Sequence, residues 1–203
     1  MNPFRLLRAL TLTLILGLTL TACGTYQKVA PGEVVDVGDD VEVRVVGDWS
    51  AINLNFVDSG SINSMWTVDG LKINRLYFFA AKEGEPLLTN QRKTGLNERL
   101  PDYRADMTEP EIMELLEGTL SIVEEAPLVK ARDLRPETYL GQPGFAFEFD
   151  MVTQNQLEVR GLVIGTRVGD GLQLLMYSAP KLYYFDKDAA TVRAIAASAR
   201  LDS

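Results

Sequence analysis

The stretch GFAFEFDMVTQNQLEVRGLVIGTRVGDGLQLLMYSA, residues 144–179, decides the fold. It divides into three apolar runs, Gly144–Val152, Gln156–Val168 and Gly171–Ala179, which are rich in the aromatic and β-branched residues that favour strands. The Gly-Asp pair at 169–170 tolerates the positive φ of a tight hairpin turn. The stretch therefore predicts an antiparallel meander.

Two segments on either side of the meander predict amphipathic helices. Thr108 can cap the first helix, Glu111 can complete a capping box, and Pro110 suits the first turn. The apolar residues that follow at helical spacing are Ile112, Leu115, Leu116, Leu120 and Val123. Asp186 can cap a second helix, whose apolar face comprises Ala189, Val192, Ile195, Ala196 and Ala199.

The N-terminal half adds strands and a long polar segment. Val41–Val46 and Ala51–Val57 alternate in polarity as half-buried strands do, and Leu71–Ala81 is a third candidate. The polar stretch from Lys82 to Met107 is expected to be a loop of a length that is often functional. This order predicts an α+β fold, an antiparallel sheet of about six to seven strands with helices packed on it.

Residues 144–201 resemble the end of a Mog1/PsbP-type domain. The shared pattern is the meander, then Ser178-Ala179-Pro180, then a small-residue helix that ends in Ser198-x-Arg200. The resemblance implies an α/β/α sandwich. Members of that group bind small GTPases or photosystem components, or are bacterial lipoproteins of unknown role. No catalytic residue carries over, so the resemblance implies a shape and no reaction.

The N-terminus has the pattern of a secretory signal. Arg5 and Arg8 precede an uncharged, mostly apolar run at residues 9–20. Twelve helical residues span about 18 Å, which is too short for a hydrocarbon core of about 30 Å. The run therefore predicts the apolar region of a signal peptide rather than a membrane-spanning helix.

The only cysteine of the chain follows this run, in Leu20-Thr21-Ala22-Cys23. This tetrad resembles the lipobox of bacterial lipoproteins. The resemblance implies cleavage between Ala22 and Cys23, diacylglycerol on the thiol of Cys23 and a further acyl chain, such as palmitate, on the new N-terminus. The alternative is a plain signal peptide with an incidental cysteine. Two or three acyl chains would make a nearly permanent membrane anchor.

The expected organisation is a signal peptide at 1–22, a lipidated N-terminus and tether at 23–40, and one globular domain at 41–203. Gly24 in place of Asp after the cysteine favours, by the same resemblance, the outer membrane of a Gram-negative host. A Gram-positive host would place the protein on the outer face of its plasma membrane. Removing residues 1–22 takes away two arginines and no acid, so the net charge of −8 becomes −10.

Composition excludes several classes of site. A net charge of −8 and the lack of any basic cluster argue against nucleic-acid binding. The chain has no histidine, which removes the commonest general base and transition-metal ligand. Asp36, Asp39 and Asp40 lack the spacing of a calcium loop and predict a solvated acidic turn. We therefore expect neither a metal nor a cofactor.

Three short motifs match those of penicillin-binding proteins by residue type. They are Ser61-Ile62-Asn63, Lys93-Thr94-Gly95 and Ser178-Ala179-Pro180-Lys181. Their order differs from that family, which places S-x-x-K first, and Ser178 follows a strand rather than opening a helix. Gly161, Gly165 and Gly169 recur every four residues, but no helix follows them, so we interpret them as strand glycines.

Paired carboxylates are the remaining catalytic possibility, with Glu124, Glu125, Asp186 and Asp188 as candidates by residue type. Helix ends and solvated faces explain these acids equally well. The aromatic residues, Trp49 and Trp66 among them, are expected mostly in the core, and any that are exposed together would form a binding patch. Two hypotheses follow. The favoured one is a non-catalytic envelope module with a possible protein partner. The alternative is an envelope hydrolase with carboxylates under the Lys82–Met107 segment.

Overall fold

The computed structural model describes residues 26–54, 61–88 and 100–202. The predicted signal peptide, Ala22 and Cys23 lie outside the described residues, as does Lys93-Thr94-Gly95. The described strands are β1 (Tyr26–Val29), β2 (Val34–Asp36), β3 (Val41–Arg44), β4 (Trp49–Ile52), β5 (Ile62–Thr67), β6 (Arg75–Ala81), β7 (Leu128–Tyr139), β8 (Gln142–Val152), β9 (Glu158–Val168), β10 (Gly171–Pro180) and β11 (Arg200–Leu201). The described helices are α1 (Glu109–Val123) and α2 (Tyr184–Ser198).

The strands form two antiparallel sheets. The larger has eight strands in the order β1-β4-β5-β6-β10-β9-β8-β7, and the smaller has three in the order β11-β3-β2. The predicted α+β fold is confirmed, with eight strands in the main sheet instead of six to seven. The predicted meander is strands β8, β9 and β10, each paired with the next along its length.

The two helices cover opposite faces of the main sheet. The apolar side of α1 packs with one core, which includes Phe145, Phe147 and Phe149 of β8. The apolar side of α2 packs with a second core, which includes Trp49 and Trp66. Both tryptophans are buried, as predicted. Because alternate residues of each strand face opposite ways, one sheet serves both cores.

The capping residues act at α1 as predicted. The Glu111 carboxylate accepts hydrogen bonds from the Thr108 N–H and hydroxyl, each at 2.7 Å. Gly161 and Gly165 lie in β9 as expected, and a Cβ at Gly161 would lie 2.1 Å from the Phe149 ring. Gly169, interpreted as a third strand glycine, lies instead in the β9–β10 turn with φ 59°. The helix starts at Glu109, where the sequence signals place it.

Two expectations about the strands were wrong, and two further strands were not predicted. The segment at 23–40, expected to be a tether, contributes β1 to the main sheet and β2 to the smaller one. The strand expected at Ala51–Val57 is β4, which ends at Ile52. Strand β5 was not predicted, because its residues INSMWT lack a regular alternation. Strand β7 was not predicted either. It is an edge strand with charged residues along it and a bulge between Arg132 and Arg135, so its apolar pattern is weak.

The register of the strands defines two ends of the main sheet. One end carries the last residues of β6, where Ala81 pairs with Leu172, and the β9–β10 turn. We call this the basal end. The opposite, apical end carries the end of β8, the start of β9 and the end of β10, where the chain turns into α2.

Candidate functional site

The structure separates the predicted carboxylates. Glu124 follows α1 and accepts a hydrogen bond from Arg75 at 2.9 Å, on the α1 face of the sheet. Glu125 follows it in a left-handed turn with φ 50°. Asp186 is exposed in the first turn of α2, and Asp188, two residues later, is buried on the α2 face. The four acids therefore do not converge on one pocket.

Asp188 belongs to a buried hydrogen-bond network centred on Asn74. The Asn74 side-chain oxygen accepts bonds from the Thr67 hydroxyl at 2.8 Å and from the N–H groups of Val68 and Asp69 at 3.0 and 3.1 Å. Its amide nitrogen donates to Asp69 at 2.8 Å and to Asp188 at 3.3 Å. The network ties the β5–β6 turn to the start of α2.

Opposing electrostatic effects act on the Asp188 carboxylate in this network. Burial raises the pKa of Asp188, with nearby Asp69 adding to the shift, while Lys187 opposes it. Lys187 binds Asp69 at 2.7 Å across the surface of the network. The Tyr177 hydroxyl donates to the Tyr184 carbonyl at 3.1 Å, and burial raises the pKa of Tyr177. The carboxylates of Asp69 and Asp188 are thus both bound within the network that holds α2 against the sheet.

The described residues of the penicillin-binding-protein motifs are also distant from one another. Ser178 pairs with Arg75 at the apical end, whereas the Ser61 hydroxyl donates to the Pro86 carbonyl at the basal end. Lys181 forms an ion pair with Glu158 at 3.3 Å. Two of the three motifs are thus at opposite ends of the sheet, and they form no common site.

An unusual turn joins β10 to α2 at the apical end. Tyr183 has φ 73° and ψ −57°, and the Tyr184 N–H donates to the Leu182 carbonyl at 3.0 Å. These angles and this bond define a classic γ-turn, a rare and strained conformation. Strained backbone of this kind concentrates at functional sites.

The turn exposes two large apolar side chains in succession. Leu182 is 88% exposed and Tyr183 is 66% exposed, the highest values among the large hydrophobic residues that the structure describes. The Lys181 N–H bonds the Glu158 carbonyl at 3.0 Å, which continues the β9–β10 ladder and places Leu182 opposite Leu157. Leu157 is also exposed. We call Leu157, Leu182 and Tyr183 the apical surface.

A small cleft of about 60 Å³ opens beside the apical surface. Leu157 lines it together with Met151 and Met176 from the α1 face of the sheet. Methionine side chains adapt their shape to what they contact, so this cleft suits the tip of one apolar side chain.

An ion pair forms the polar wall of the cleft. Arg75 contacts the Tyr77 hydroxyl at 3.1 Å as well as Glu124, and it donates from Nε to the Leu71 carbonyl at 2.9 Å. The neighbouring Tyr77 and Glu124 raise the pKa of Arg75 although burial opposes the shift. Burial raises the pKa of Tyr77. The cleft therefore combines an apolar lining with a permanently charged guanidinium that is hydrogen-bonded to Leu71, Tyr77 and Glu124.

A second cleft, of about 360 Å³, lies at the basal end and is lined by Asp39, Asp40, Lys82 and Gln173 among others. Asp39 accepts a hydrogen bond from Gln173, and Asp36 accepts one from the Gly38 N–H at 2.7 Å. Over residues 26–54, 61–88 and 100–202, no group of three or more acidic or sulfur side chains is placed to hold a metal ion.

Sequence reasoning missed the apical surface. It placed the aromatic residues mostly in the core without distinguishing among them, and Phe185 is buried there while Tyr183 is exposed. A usable signal was present in Pro180-Lys181-Leu182-Tyr183, because consecutive large apolar residues between a strand and a helix have no regular face on which to be buried.

Comparisons with known proteins show the fold. No family model matches the sequence, and no curated protein does. The cyanobacterial PsbP protein (CyanoP) of Synechocystis sp. PCC 6803 is similar in structure, with a TM-score of 0.57 and 12% sequence identity over 90% of this chain and 95% of that chain. LpqN, described as involved in cell envelope biogenesis of Mycobacterium tuberculosis, has a TM-score of 0.39 at 11% identity over 87% and 91% of the chains. The CyanoP likeness confirms the PsbP-like fold.

The described part of the chain contains no helix whose length and apolar content would allow it to cross a membrane.

Proposed function

We propose that the protein is a lipid-anchored lipoprotein of the bacterial cell envelope that acts as a non-catalytic binding or assembly module. Cys23 would carry the lipid, and a host with an outer membrane would hold the protein there, facing the periplasm. The apical surface would bind a partner protein. No cofactor or nucleic acid takes part in this function.

The observation that carries the binding role is the exposure of Leu182 and Tyr183 on a strained turn. Strain costs free energy of folding, and exposed large apolar groups promote association. Aromatic and large apolar residues that become buried on binding contribute most of the energy of protein interfaces. A pair of such residues on a rigid turn is therefore suited to anchor a partner.

The candidate carboxylates support a non-catalytic role by their contacts. Glu124 is paired with Arg75, and Asp188 shares the Asn74 amide with Asp69. A carboxylate pair for glycoside hydrolysis needs two acids across a substrate cleft, and these two acids lie on opposite faces of the sheet. The proposal would be wrong if the purified protein hydrolysed an envelope polymer and Asp188→Asn abolished that activity.

The anchor is tested with the variant Cys23→Ser expressed in bacteria. Membranes should retain the wild-type protein after a high-salt wash, and mass spectrometry of its N-terminal peptide should show diacylglycerol on Cys23. The serine variant should lack this modification and lose membrane retention. Cleavage of the wild type without acylation would instead indicate a plain signal peptide.

The partner is tested by photo-crosslinking in living cells. A photoreactive amino acid at Leu182 should give one discrete protein adduct, identified by mass spectrometry. The matched control position is Asp170, which is exposed in the β9–β10 turn at the basal end. Lipid and background adducts alone at Leu182 would overturn the proposed binding role.

A further inference from the structure

We propose that the cleft of about 60 Å³ beside the apical surface, here called the apical cleft, binds the C-terminal residue of the partner protein. An apolar side chain of that residue fills the cleft, and its terminal carboxylate binds Arg75. The residues before the C-terminus lie over the apical surface. This inference rests on the proposed binding role and names the part of the partner that is recognised.

The volume and lining of the apical cleft suit one aliphatic side chain. Met151, Leu157, Val159 and Met176 line it. A water-sized group needs about 10–15 Å³ of such a volume, so the cleft holds about five groups, close to a leucine or isoleucine side chain. Leu157 belongs both to the cleft and to the apical surface. A chain bound over that surface therefore reaches the cleft directly.

The charged residues that line the apical cleft leave an excess of positive charge. They are Lys72, Arg75 and Glu124, two cations and one anion, and Glu124 is already bound by Arg75 at 2.9 Å. Lys181 and Glu158, each next in sequence to a residue of the lining, pair with each other at 3.3 Å and add no net charge. In a chain of net charge −8, a locally positive cleft favours an anionic ligand.

Arg75 and Ser178 place hydrogen-bond donors side by side at the apical cleft. They are paired residues of the neighbouring strands β6 and β10, and both line the cleft. Side chains of such a pair lie about 5 Å apart on one face of a sheet.

The Arg75 guanidinium keeps donors available for a ligand. It donates from Nε and Nη1 to groups of the fold, and within residues 26–54, 61–88 and 100–202 its Nη2 makes no hydrogen bond. The Arg75 side chain is 34% exposed. Its Nη2 and the Ser178 hydroxyl can therefore both donate to one carboxylate, and a bond between a guanidinium and a carboxylate is of the strong, charge-assisted kind.

A C-terminal residue fits both parts of so small a cleft. It carries an apolar side chain and a carboxylate on the same Cα atom, whereas within a chain the carboxylate of an aspartate or glutamate needs a side chain of its own. A free amino acid brings an ammonium group, which Lys72 and Arg75 repel, and a fatty acid is far larger than the cleft. Capture of a C-terminal carboxylate is a recurring mode of peptide recognition.

Peptide libraries test the recognition of a C-terminus. Two libraries of random peptides about eight residues long, one ending in a free carboxylate and the other in an amide, are passed over the immobilised full-length protein in mild detergent. Retained peptides of the first library should end in leucine, isoleucine, valine or methionine, and their amides should be retained at least about tenfold less. Equal retention of the two libraries, or no preference for an apolar last residue, would overturn the inference.

Filling the cleft tests where the selected peptides bind. Ser178→Met places a larger side chain at the cleft and should abolish measurable binding of a labelled peptide, followed by fluorescence anisotropy. Ser178→Ala, the matched control, keeps the cleft open and loses one neutral donor, so it should weaken binding by roughly twofold to fivefold. Circular dichroism checks that both variants are folded. Unchanged binding by folded Ser178→Met would show that the peptides bind elsewhere, and the inference would be wrong.

A surface variant tests the charge without disturbing the fold. Lys72 is exposed, and Lys72→Gln should weaken binding about twofold to threefold at low salt and less at high salt. Lys82→Gln, which removes an exposed lysine at the basal end, is the matched control and should leave the affinity unchanged. Equal affinities of the two variants would contradict the role of the positive charge at the cleft.

The inference and the proposed function can fail separately. If the crosslink at Leu182 captures a partner and the libraries show no preference for an apolar residue with a free carboxylate, the inference fails while the binding role stands. If no partner is captured at Leu182, the proposed function itself fails.

Discussion

At the scale of single residues, Tyr183 combines backbone strain with exposure. Its φ of 73° and ψ of −57° are those of a classic γ-turn. Such a conformation costs about 1–3 kcal/mol. The Tyr183 side chain is 66% exposed. Its ring packs edge-on against the ring of Tyr184, with 5.2 Å between the ring centroids. The strain therefore has no compensation from burial of its own side chain.

Replacing Tyr183 separates strain from binding. Tyr183→Gly should raise the free energy of unfolding by about 1 kcal/mol, because glycine relieves the strain but adds entropy to the unfolded chain. Tyr183→Ala, the matched control, loses the same ring and keeps the strain, so it should not stabilise the fold. Both should lose the crosslink at Leu182. Urea denaturation measures the stabilities, and a glycine variant no more stable than the alanine variant would contradict the assignment of strain.

Asn74 is the residue on which the position of α2 depends. Asn74→Ala should lower the free energy of unfolding by about 3 kcal/mol, because it leaves the backbone N–H groups of Val68 and Asp69 without their acceptor. The Thr67 hydroxyl keeps a bond to the backbone carbonyl of residue 74. Asn155→Ala, in an exposed turn, is the control and should change stability by less than about 0.5 kcal/mol. Thermal or urea denaturation measures the stability of both variants. If Asn74→Ala were as stable as Asn155→Ala, water would have replaced the missing amide.

At the scale of elements, glycines have different roles in strand and helix. In β9, Gly161 leaves space for the Phe149 ring of the neighbouring strand. In α1, a Cβ at Gly118 would meet Pro101 at 3.7 Å, an ordinary contact, and the backbone there is helical. The same substitution should therefore have opposite effects in the two elements.

Gly161→Ala should lower the free energy of unfolding by about 1–3 kcal/mol through overpacking. Gly118→Ala should raise it by about 0.5–1 kcal/mol, because alanine favours the helix and restricts the unfolded chain. The two variants are controls for each other in one urea titration series. The same sign for both would contradict the packing described for β8 and β9.

The start of α1 should make stability depend on pH. A hydrogen bond from Arg167 at 2.8 Å, with one from the backbone, lowers the pKa of Glu109 below its usual 4.5. As the pH falls through 4.5, the unfolded chain takes up this proton first, so the stabilisation present above that pH is lost. Asp188 has the opposite sign, because burial raises its pKa.

The contribution of Glu109 is therefore measured as a difference between proteins. Glu109→Gln should lose less stability than the wild type between pH 6 and roughly pH 4. Arg167→Gln should also flatten this dependence, because it removes the donor. Urea midpoints at several pH values provide the test, and parallel curves for wild type and Glu109→Gln would disprove the pairing.

At the scale of the whole molecule, two cores share one sheet. The α1 core and the α2 core lie on opposite faces of the same eight strands. Loss of packing on one face should therefore loosen the strands on which the other core depends, and the described domain should unfold in one cooperative transition.

Ile112→Ala, in the α1 core, should lower the free energy of unfolding by about 2–5 kcal/mol. The fluorescence of Trp49 and Trp66, which report on the other core, should shift together with circular dichroism. Ile122→Ala is the matched control, the same change at a half-buried position of the same helix, and its effect should be smaller. An unmoved tryptophan transition in Ile112→Ala would show that the cores unfold independently.

The sequence predicted the elements whose signals are local. The strands β8 to β10 have long apolar runs separated by turn residues, and Thr108 and Glu111 mark the start of α1 because capping involves neighbours in the chain. Strands β1, β2, β5 and β7 were missed. Strand β1 has only one buried residue, and β7 is charged along its edge, so their place in the sheet depends on partners distant in sequence.

The same limit applies to the candidate site. The lipobox resemblance at Cys23 is a contiguous signal, and it stays a prediction because the residue lies outside the described part of the chain. The apical surface is decided by tertiary structure. Tyr183 and Phe185 are alike in sequence, and only the γ-turn after β10 directs one outward and leaves the other in the core. Residue type determined which side chains could be buried, and the path of the backbone decided which of them were.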